Sequence, residues 1–196
     1  MPINKLKVSK RAKTAIAAIV FAAGAGGTLA LFPGQKPVPD DVALAVKVLV
    51  QPWEGRSLKA YYDTLPTKPV WTICDGDTDN VKAGMVETPE GCDRRLATKI
   101  VRDYRAPLTK CISGWDGKPL AWRAMMVSLA WNIGPGAACK STAARLGREG
   151  KYLDSCNAAT AFNKAGGRVI IGLVKRRENG DVNRIGEGEL CVSGVQ

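Results

Sequence analysis

Six cysteines and no histidine among 196 residues constrain this chain more than any other feature. The cysteines are Cys74, Cys92, Cys111, Cys139, Cys156 and Cys191, and no two of them form a C-x-x-C pair. Structural zinc takes closely spaced Cys and His ligands, so the spacing predicts disulfides and no metal or other cofactor. Disulfides persist in oxidising surroundings such as a bacterial periplasm. The part of the chain that holds them is therefore expected outside the cytoplasm. Six cysteines allow fifteen pairings, and their count alone leaves the connectivity open.

The N-terminus supplies a route out. Lys5, Lys7, Lys10, Arg11 and Lys13 form a basic flank, and the nineteen residues from Thr14 to Phe32 carry no charge. A helix of that length spans roughly 28 Å at about 1.5 Å per residue, close to a bilayer hydrocarbon core of about 30 Å. The cations favour a cytoplasmic N-terminus with the rest of the chain outside. The expected partner of residues 14–32 is thus the bacterial inner membrane. As an anchor the segment is weak, because seven of its residues are Ala and three are Gly. Glycine costs about 1 kcal/mol relative to Ala in a helix interior. A permanent anchor, a cleaved signal peptide and a tether that leaves the membrane whole are the three fates open to it.

The organisation that follows is a hydrophobic N-terminal segment over 1–33, a Pro-rich linker over 34–41 and one folded domain over 42–196. From Asp41 the run VALAVKVLVQPWEG reads as a helix capped by Asp40 or Asp41 and ending near Pro52 and Gly55. Residues 58–86 mix turn formers with short β-type runs, which predicts a small antiparallel sheet. Thr88-Pro89-Glu90 is a helix start, with a Thr cap and Pro at the first helical position. Residues 119–136 read as a helix buried on most sides, stopped by Gly134. Further helices are expected at 141–148, 151–164 and 168–178. The fold class is α+β, a small antiparallel sheet lobe beside a larger, mostly helical lobe.

The formal charge is +11, and removing the five cations of the basic flank still leaves a charge of +6. A basic surface suits nucleic acid, anionic lipid or an acidic wall polymer alike. No nucleic-acid reading motif is present, and export separates the chain from DNA. Charge alone therefore chooses no partner, and the chain is expected to be a monomer.

Among the eighteen acidic residues, Glu54 stands at the end of the first helix of the folded domain, and Asp63 and Thr72 follow on the expected hairpin. Glycoside hydrolysis needs two carboxyls facing the scissile bond, one protonated and one ionised. By itself the spacing is a weak signal. The surrounding residues strengthen it, because WEGRSLKAYYD…VWTICDGDT resembles the catalytic stretch of the phage-type lysozymes, glycoside hydrolase family twenty-four. AMMVSLAWNIGPGAACKSTAARL resembles that family's central helix and N-x-G turn, and KAGGRVIIGLVKRRENG its AGG…GL-x-x-RR segment. The resemblance covers roughly residues 42–191. The Ala/Gly-rich segment is similar to that of the signal-arrest-release endolysins of lambdoid phages.

The resemblance implies a lysozyme-like fold and a muramidase acting on peptidoglycan. Glu54 would be the general acid, kept protonated by burial beside apolar groups such as Trp53. Asp63 would act on a water that Thr72 helps to hold, which implies inversion. Trp131 matches a cleft-lining aromatic position, while Arg176 and Arg177 are expected to be structural, pairing with carboxylates. The chain departs from the family by three extra residues in the hairpin, within Leu65–Pro69, by the missing histidine near Asp75 or Asp77, and by an insertion after the arginine pair. A lytic transglycosylase and a catalytically inactive, tethered wall-binding protein are the alternatives. The expected location is the inner membrane, then the periplasm after release. Chain order and local loops suggest the pairs Cys74–Cys92, Cys111–Cys139 and Cys156–Cys191, each contributing on the order of 3–4 kcal/mol in the chain-entropy model.

Overall fold

The computed structural model describes residues 2–64 and 68–196. Part of the expected hairpin extension, Leu65–Pro69, lies outside the described residues. The core is organised around α5 (Leu120–Ile133), in which every residue from 121 to 130 is buried. Pro119 precedes it, and Gly134, at φ 85°, ends it as the sequence predicts. Trp122 fills the space between α5 and helices α7 (Thr142–Arg148) and α8 (Tyr152–Ala159). Its indole donates to Ser155 Oγ at 2.7 Å, and Ser155 Oγ donates to the Ala143 carbonyl at 2.6 Å. A Cβ on Gly147 would stand 1.9 Å from the Trp122 ring, so α7 approaches α5 only because residue 147 has no side chain.

The small lobe is the antiparallel hairpin β3 (Ser57–Asp63) and β4 (Val70–Cys74), with Tyr61 opposite Thr72 and Asp63 opposite Val70. Lys59 bridges to Val86, extending the sheet region as far as the sequence suggests. Helix α3 (Pro89–Lys99) starts as expected, with Thr88 Oγ1 accepting from Gly91 N at 3.0 Å. It continues as a wider π-helical stretch, Ile100–Arg105, into α4 (Ala106–Cys111), and α6 (Pro135–Lys140) follows α5. The three disulfides are Cys74–Cys92, Cys111–Cys139 and Cys156–Cys191, the pairs that chain order suggests. They fasten β4 to α3, α4 to α6, and α8 to the C-terminal helix.

Four expectations need correction. The first concerns the N-terminal segment, where no single helix covers 14–32. Helix α1 runs over Lys10–Ala23, begins at a Ser9 cap, and is broken at Gly24, whose φ is 55°. Thr28–Leu29 (β1) then pairs with Val38–Pro39 (β2), so the expected linker carries a strand. Among the described residues no helix is long and apolar enough to cross a membrane.

Secondly, α2 (Asp40–Leu44) is preceded by Pro39, and neither aspartate is its cap. The fully buried Asp41 turns inward instead, accepting from Trp115 Nε1 at 2.5 Å and Arg105 Nε at 2.8 Å. Thirdly, the helix expected over 151–164 ends at Ala159, and the helix expected from 168 starts only at Ile171. Between them lies a hairpin, β5 (Lys164–Ala165) and β6 (Arg168–Val169), turned by Gly166 and Gly167 at φ 55° and 77°. Two successive positive φ angles are what a two-residue hairpin turn requires. Finally, the residues after the arginine pair end in a helix that the sequence reading lacked, α10 (Glu187–Val195).

Helix α10 packs on both α5 and α1. A Cβ on Gly194 would meet Ala121 Cβ at 2.4 Å and Ile16 Cδ1 at 3.0 Å, so the bare backbone of α10 there receives side chains of both α5 and α1. The arm before α1 is fixed by hydrogen bonds. Glu178 accepts from Ile3 N at 2.6 Å and Asn4 N at 3.0 Å, and the buried Glu189 accepts from Arg11 Nε at 2.8 Å.

Candidate active site

Glu54 follows α2 where the helix has loosened. The backbone passes from α2 through a π-helical stretch, Ala45–Val50, and a tight turn, Gln51–Trp53, that contains Pro52. Proline within the turn removes a backbone donor and ends the helix, which leaves Glu54 extended at φ −94°, ψ 145°. Its carboxylate, about one quarter exposed, accepts from Trp131 Nε1 at 3.0 Å and Arg176 Nη1 at 2.7 Å. Helices α5 and α9 (Ile171–Arg177) therefore hold the same oxygen, Oε1.

The Trp53 indole donates to the Ile185 carbonyl at 3.0 Å, and its ring stacks under the Arg184 guanidinium at 3.9 Å. The Glu54 carboxyl itself meets an indole N–H and a guanidinium. Arg177, next in the chain, is fully buried and pairs with Glu187, which also accepts from Ser128 Oγ at 2.6 Å. Arg177 also donates to Asn132, the neighbour of Trp131. Arg177 thus joins α9 to α10 and to the end of α5, while Arg176 reaches the candidate acid.

The facing wall is the β3–β4 hairpin. Side chains two apart on a strand share a face, and directly opposed residues of an antiparallel pair do too. Tyr61, Asp63 and Thr72 therefore lie on one face. Thr72 is buried, and its hydroxyl lies 3.3 Å from the Val70 carbonyl. Partial burial, reinforced by the negative charges of Asp63 and Glu54, holds the Tyr61 phenol above its ordinary range. Both carboxylates act on this one phenol. Tyr61 is the residue the sequence reading underused, although it is the first residue of the quoted Y-x-D motif.

A clamp fixes the loop between the two carboxylates. Arg56 donates to both oxygens of the buried Asp75, at 3.1 and 2.8 Å, and to Asp93 at 2.7 Å. Bidentate guanidinium–carboxylate pairs fix orientation as well as distance. Arg95 likewise donates to Asp77 at 2.7 Å.

A larger helical lobe beside a small antiparallel hairpin lobe is the architecture of lysozyme-like proteins. The phage lysozyme family description matches residues 51–180. Among curated relatives, the SAR-endolysin of Enterobacteria phage P21 is 30% identical over 148 residues, which are 73% of this chain and 79% of that protein. The endolysin of Bacillus phage B103 is 30% identical over 135 residues, 66% of this chain, and the matched region spans about half (48%) of that longer protein. The active form of the P1 phage endolysin Lyz superposes with a TM-score of 0.63 at 18% identity, covering 98% of each chain. The Asticaccaulis excentricus SpmX muramidase domain superposes with a TM-score of 0.61 at 21% identity, covering 81% of this chain and 98% of that one, and these two likenesses concern the fold. The chain belongs to the phage lysozyme family.

Proposed function

We propose that this protein is an endolysin that hydrolyses the β-1,4 bond between N-acetylmuramic acid and N-acetylglucosamine in peptidoglycan. Glu54 donates its proton to the glycosidic oxygen as that bond breaks. Asp63 takes a proton from a water that attacks the anomeric carbon from the opposite face, and the Thr72 hydroxyl helps to position that water. A single displacement of this kind inverts the anomeric centre and needs carboxyls roughly 6.5–9.5 Å apart. Trp131 and Arg176 orient the Glu54 carboxyl and thereby the proton. The observation that best supports this reading is the grip of Trp131 and Arg176 on the Glu54 carboxyl, from α5 and α9, in a chain of the phage lysozyme family. Mass spectrometry and NMR of products from purified walls test it. Hydrolysis gives reducing muramic acid ends formed first as the α-anomer, whereas a transglycosylase gives anhydro ends and an inactive wall binder gives none.

The domain organisation belongs to the same proposal. Residues 1–33 first tether the chain to the inner membrane with the N-terminus in the cytoplasm, and then leave the bilayer uncleaved for the periplasm. The docking of α1 on α10, together with the match to SAR-endolysins, supports this order.

A further inference from the structure

Behind the candidate acid lies a buried carboxylate that the proposed chemistry does not use. Glu187, the first residue of α10, is fully buried. Its Oε1 accepts from Ser128 Oγ at 2.6 Å and pairs with the Arg177 guanidinium, which is buried as completely. Its Oε2 is buried with no hydrogen-bond partner among the described residues. Arg176 is incomplete in the same way. Its Nη1 donates to Glu54 at 2.7 Å, while Nε and Nη2 are buried without acceptors among the described residues. Buried polar groups are nearly always paired, and here two donors and an acceptor on neighbouring charged groups are not.

The two incomplete groups are close to each other. Arg176 Nε stands 3.7 Å from Glu187 Oε1, about 1 Å beyond a charge-assisted hydrogen bond. The guanidinium thus lies between two carboxylates, bonded to Glu54 and a small shift away from Glu187. No other carboxylate pairs with it among the described residues. The residues of α5 that reach these groups, Ser128, Trp131 and Asn132, are uncharged. Charge decides between the two partners. A guanidinium favours the ionised form of a carboxyl that it touches, whereas a general acid must meet its substrate protonated. Protonation of Glu54 removes the charge that holds Arg176 there, and the ionised carboxyl that remains is Glu187.

We propose that Glu187 is a positioning residue, the alternative acceptor to which Arg176 moves when Glu54 carries its proton, an inference that rests on the hydrolase reading above. In one position the guanidinium holds Glu54 ionised between turnovers. In the other it has withdrawn to Glu187. Glu54 Oε1 then still accepts from Trp131 Nε1, and the proton stands on Oε2, ready for the glycosidic oxygen. Unpaired Nε and Oε2 atoms are what a two-position guanidinium leaves open in one of its positions. Arg177 and Ser128 hold Glu187 in place, so the part that moves is Arg176.

The full chain carrying Glu54→Gln stands in for the protonated acid, and its crystal structure reads the switch without turnover. Arg176 Nε is expected within about 3.2 Å of a Glu187 oxygen, with Nη1 withdrawn from residue 54. A guanidinium still bonded to residue 54, with Nε apart from Glu187, overturns the proposal. Kinetics give a second reading. Glu187→Gln should lower kcat by about tenfold with KM nearly unchanged, the scale of one charged hydrogen bond. Glu187→Asp, which keeps the charge one methylene short, should recover part of that loss. In an Arg176→Ala background Glu187→Gln should lower kcat no further, because its effect passes through Arg176. A full tenfold loss in that background would overturn the proposal and leave Glu187 a structural partner of Arg177. Calorimetry on each variant separates these losses from unfolding, and should Glu187→Gln not fold, the Glu54→Gln structure decides by itself. Failure of the parent chain to cut wall polymer would overturn the hydrolase reading alone, because the place of Arg176 in Glu54→Gln is read without cleavage.

Discussion

The Glu54 carboxylate lies 2.7 Å from the Arg176 guanidinium, across 122 residues of chain. Two of the remaining Arg176 nitrogens, Nε and Nη2, are buried without a hydrogen-bond partner among the described residues. The guanidinium is thus committed mainly to one carboxyl group. Glu54→Gln should abolish wall lysis while leaving the thermal transition in place, which turbidity and calorimetry check together. Arg176→Ala should lower kcat more than it raises KM, because it misorients a proton donor that the substrate still reaches. Arg176→Lys, which lacks the planar fork, should recover only part of the loss. Near-normal lysis by Glu54→Gln would dismiss Glu54 as the acid.

On the facing wall, Asp63→Asn should reduce lysis severely and Thr72→Ala less so. Tyr61→Phe removes only a hydroxyl and should act on kcat by a smaller factor than Asp63→Asn. Wall-degradation rates over a range of substrate concentrations separate these effects. Equal losses in Asp63→Asn and Thr72→Ala would refute the separate roles assigned to them.

Gly147→Ala places a methyl group within 1.9 Å of the Trp122 ring. Overpacking of this kind costs about 1–3 kcal/mol, which for a protein of this size lowers Tm by roughly 2–4 °C per kcal/mol. Calorimetry reads the shift. The same change at the exposed Gly136, where no atom lies within 4 Å, serves as the control and should be close to neutral.

Acid should loosen the C-terminal turn that holds the N-terminal arm. The Arg184 guanidinium holds the Asp181 carboxyl down at about 2. A carboxyl depressed on folding contributes stability that is present above its unfolded value, about 3.9, and lost as pH falls through the folded value. Arg11 donates to the Asp181 and Val182 carbonyls in this turn, at 2.7 and 3.3 Å. Amide exchange in residues 3–13 should therefore quicken between about pH 4 and pH 2, ahead of the disulfide-fastened core. Asp181→Asn should show the faster exchange already at neutral pH. Exchange flat across that range in the parent chain would separate the arm from the turn.

Substitution of Gly24 and Gly27 by Leu should retain the chain in the membrane and delay lysis. These glycines sit at φ 55° and 60° in the docked form, a region that costs a branched L-residue roughly 1–2 kcal/mol. In the bilayer the same leucines lengthen the apolar run. Both effects oppose release. Membrane potential adds about 2.3 kcal/mol per charge per 100 mV towards retaining the basic flank inside. Cell fractionation before and after depolarisation, with intact-mass measurement, reads the outcome. A periplasmic species lacking the first thirty residues would identify a cleaved signal peptide instead.

The sequence by itself determined what depends on neighbours along the chain. The Thr88 cap with Pro89, the stop at Gly134, the uninterrupted apolar run of α5 and the hairpin spacing of Asp63 and Thr72 are all local signals. The cysteines were legible for a related reason, since pairs adjacent in chain order close short loops. Tertiary structure decided what depends on distant partners. Asp41 looked like a cap until Trp115 and Arg105 drew it into the core. Helix α10 carries two glycines and buried acids, a poor helix by propensity, and exists because Arg177 and Arg11 pair with those acids and Ser128 donates to one of them. The segment from Thr14 to Phe32 reads as one apolar helix because hydropathy counts residues and not their neighbours. Docked on α10, it breaks at Gly24, and the chain turns back through β1, which pairs with β2. The contact of Arg176 with Glu54 required α9 and the end of α2 to meet, a juxtaposition no local pattern encodes.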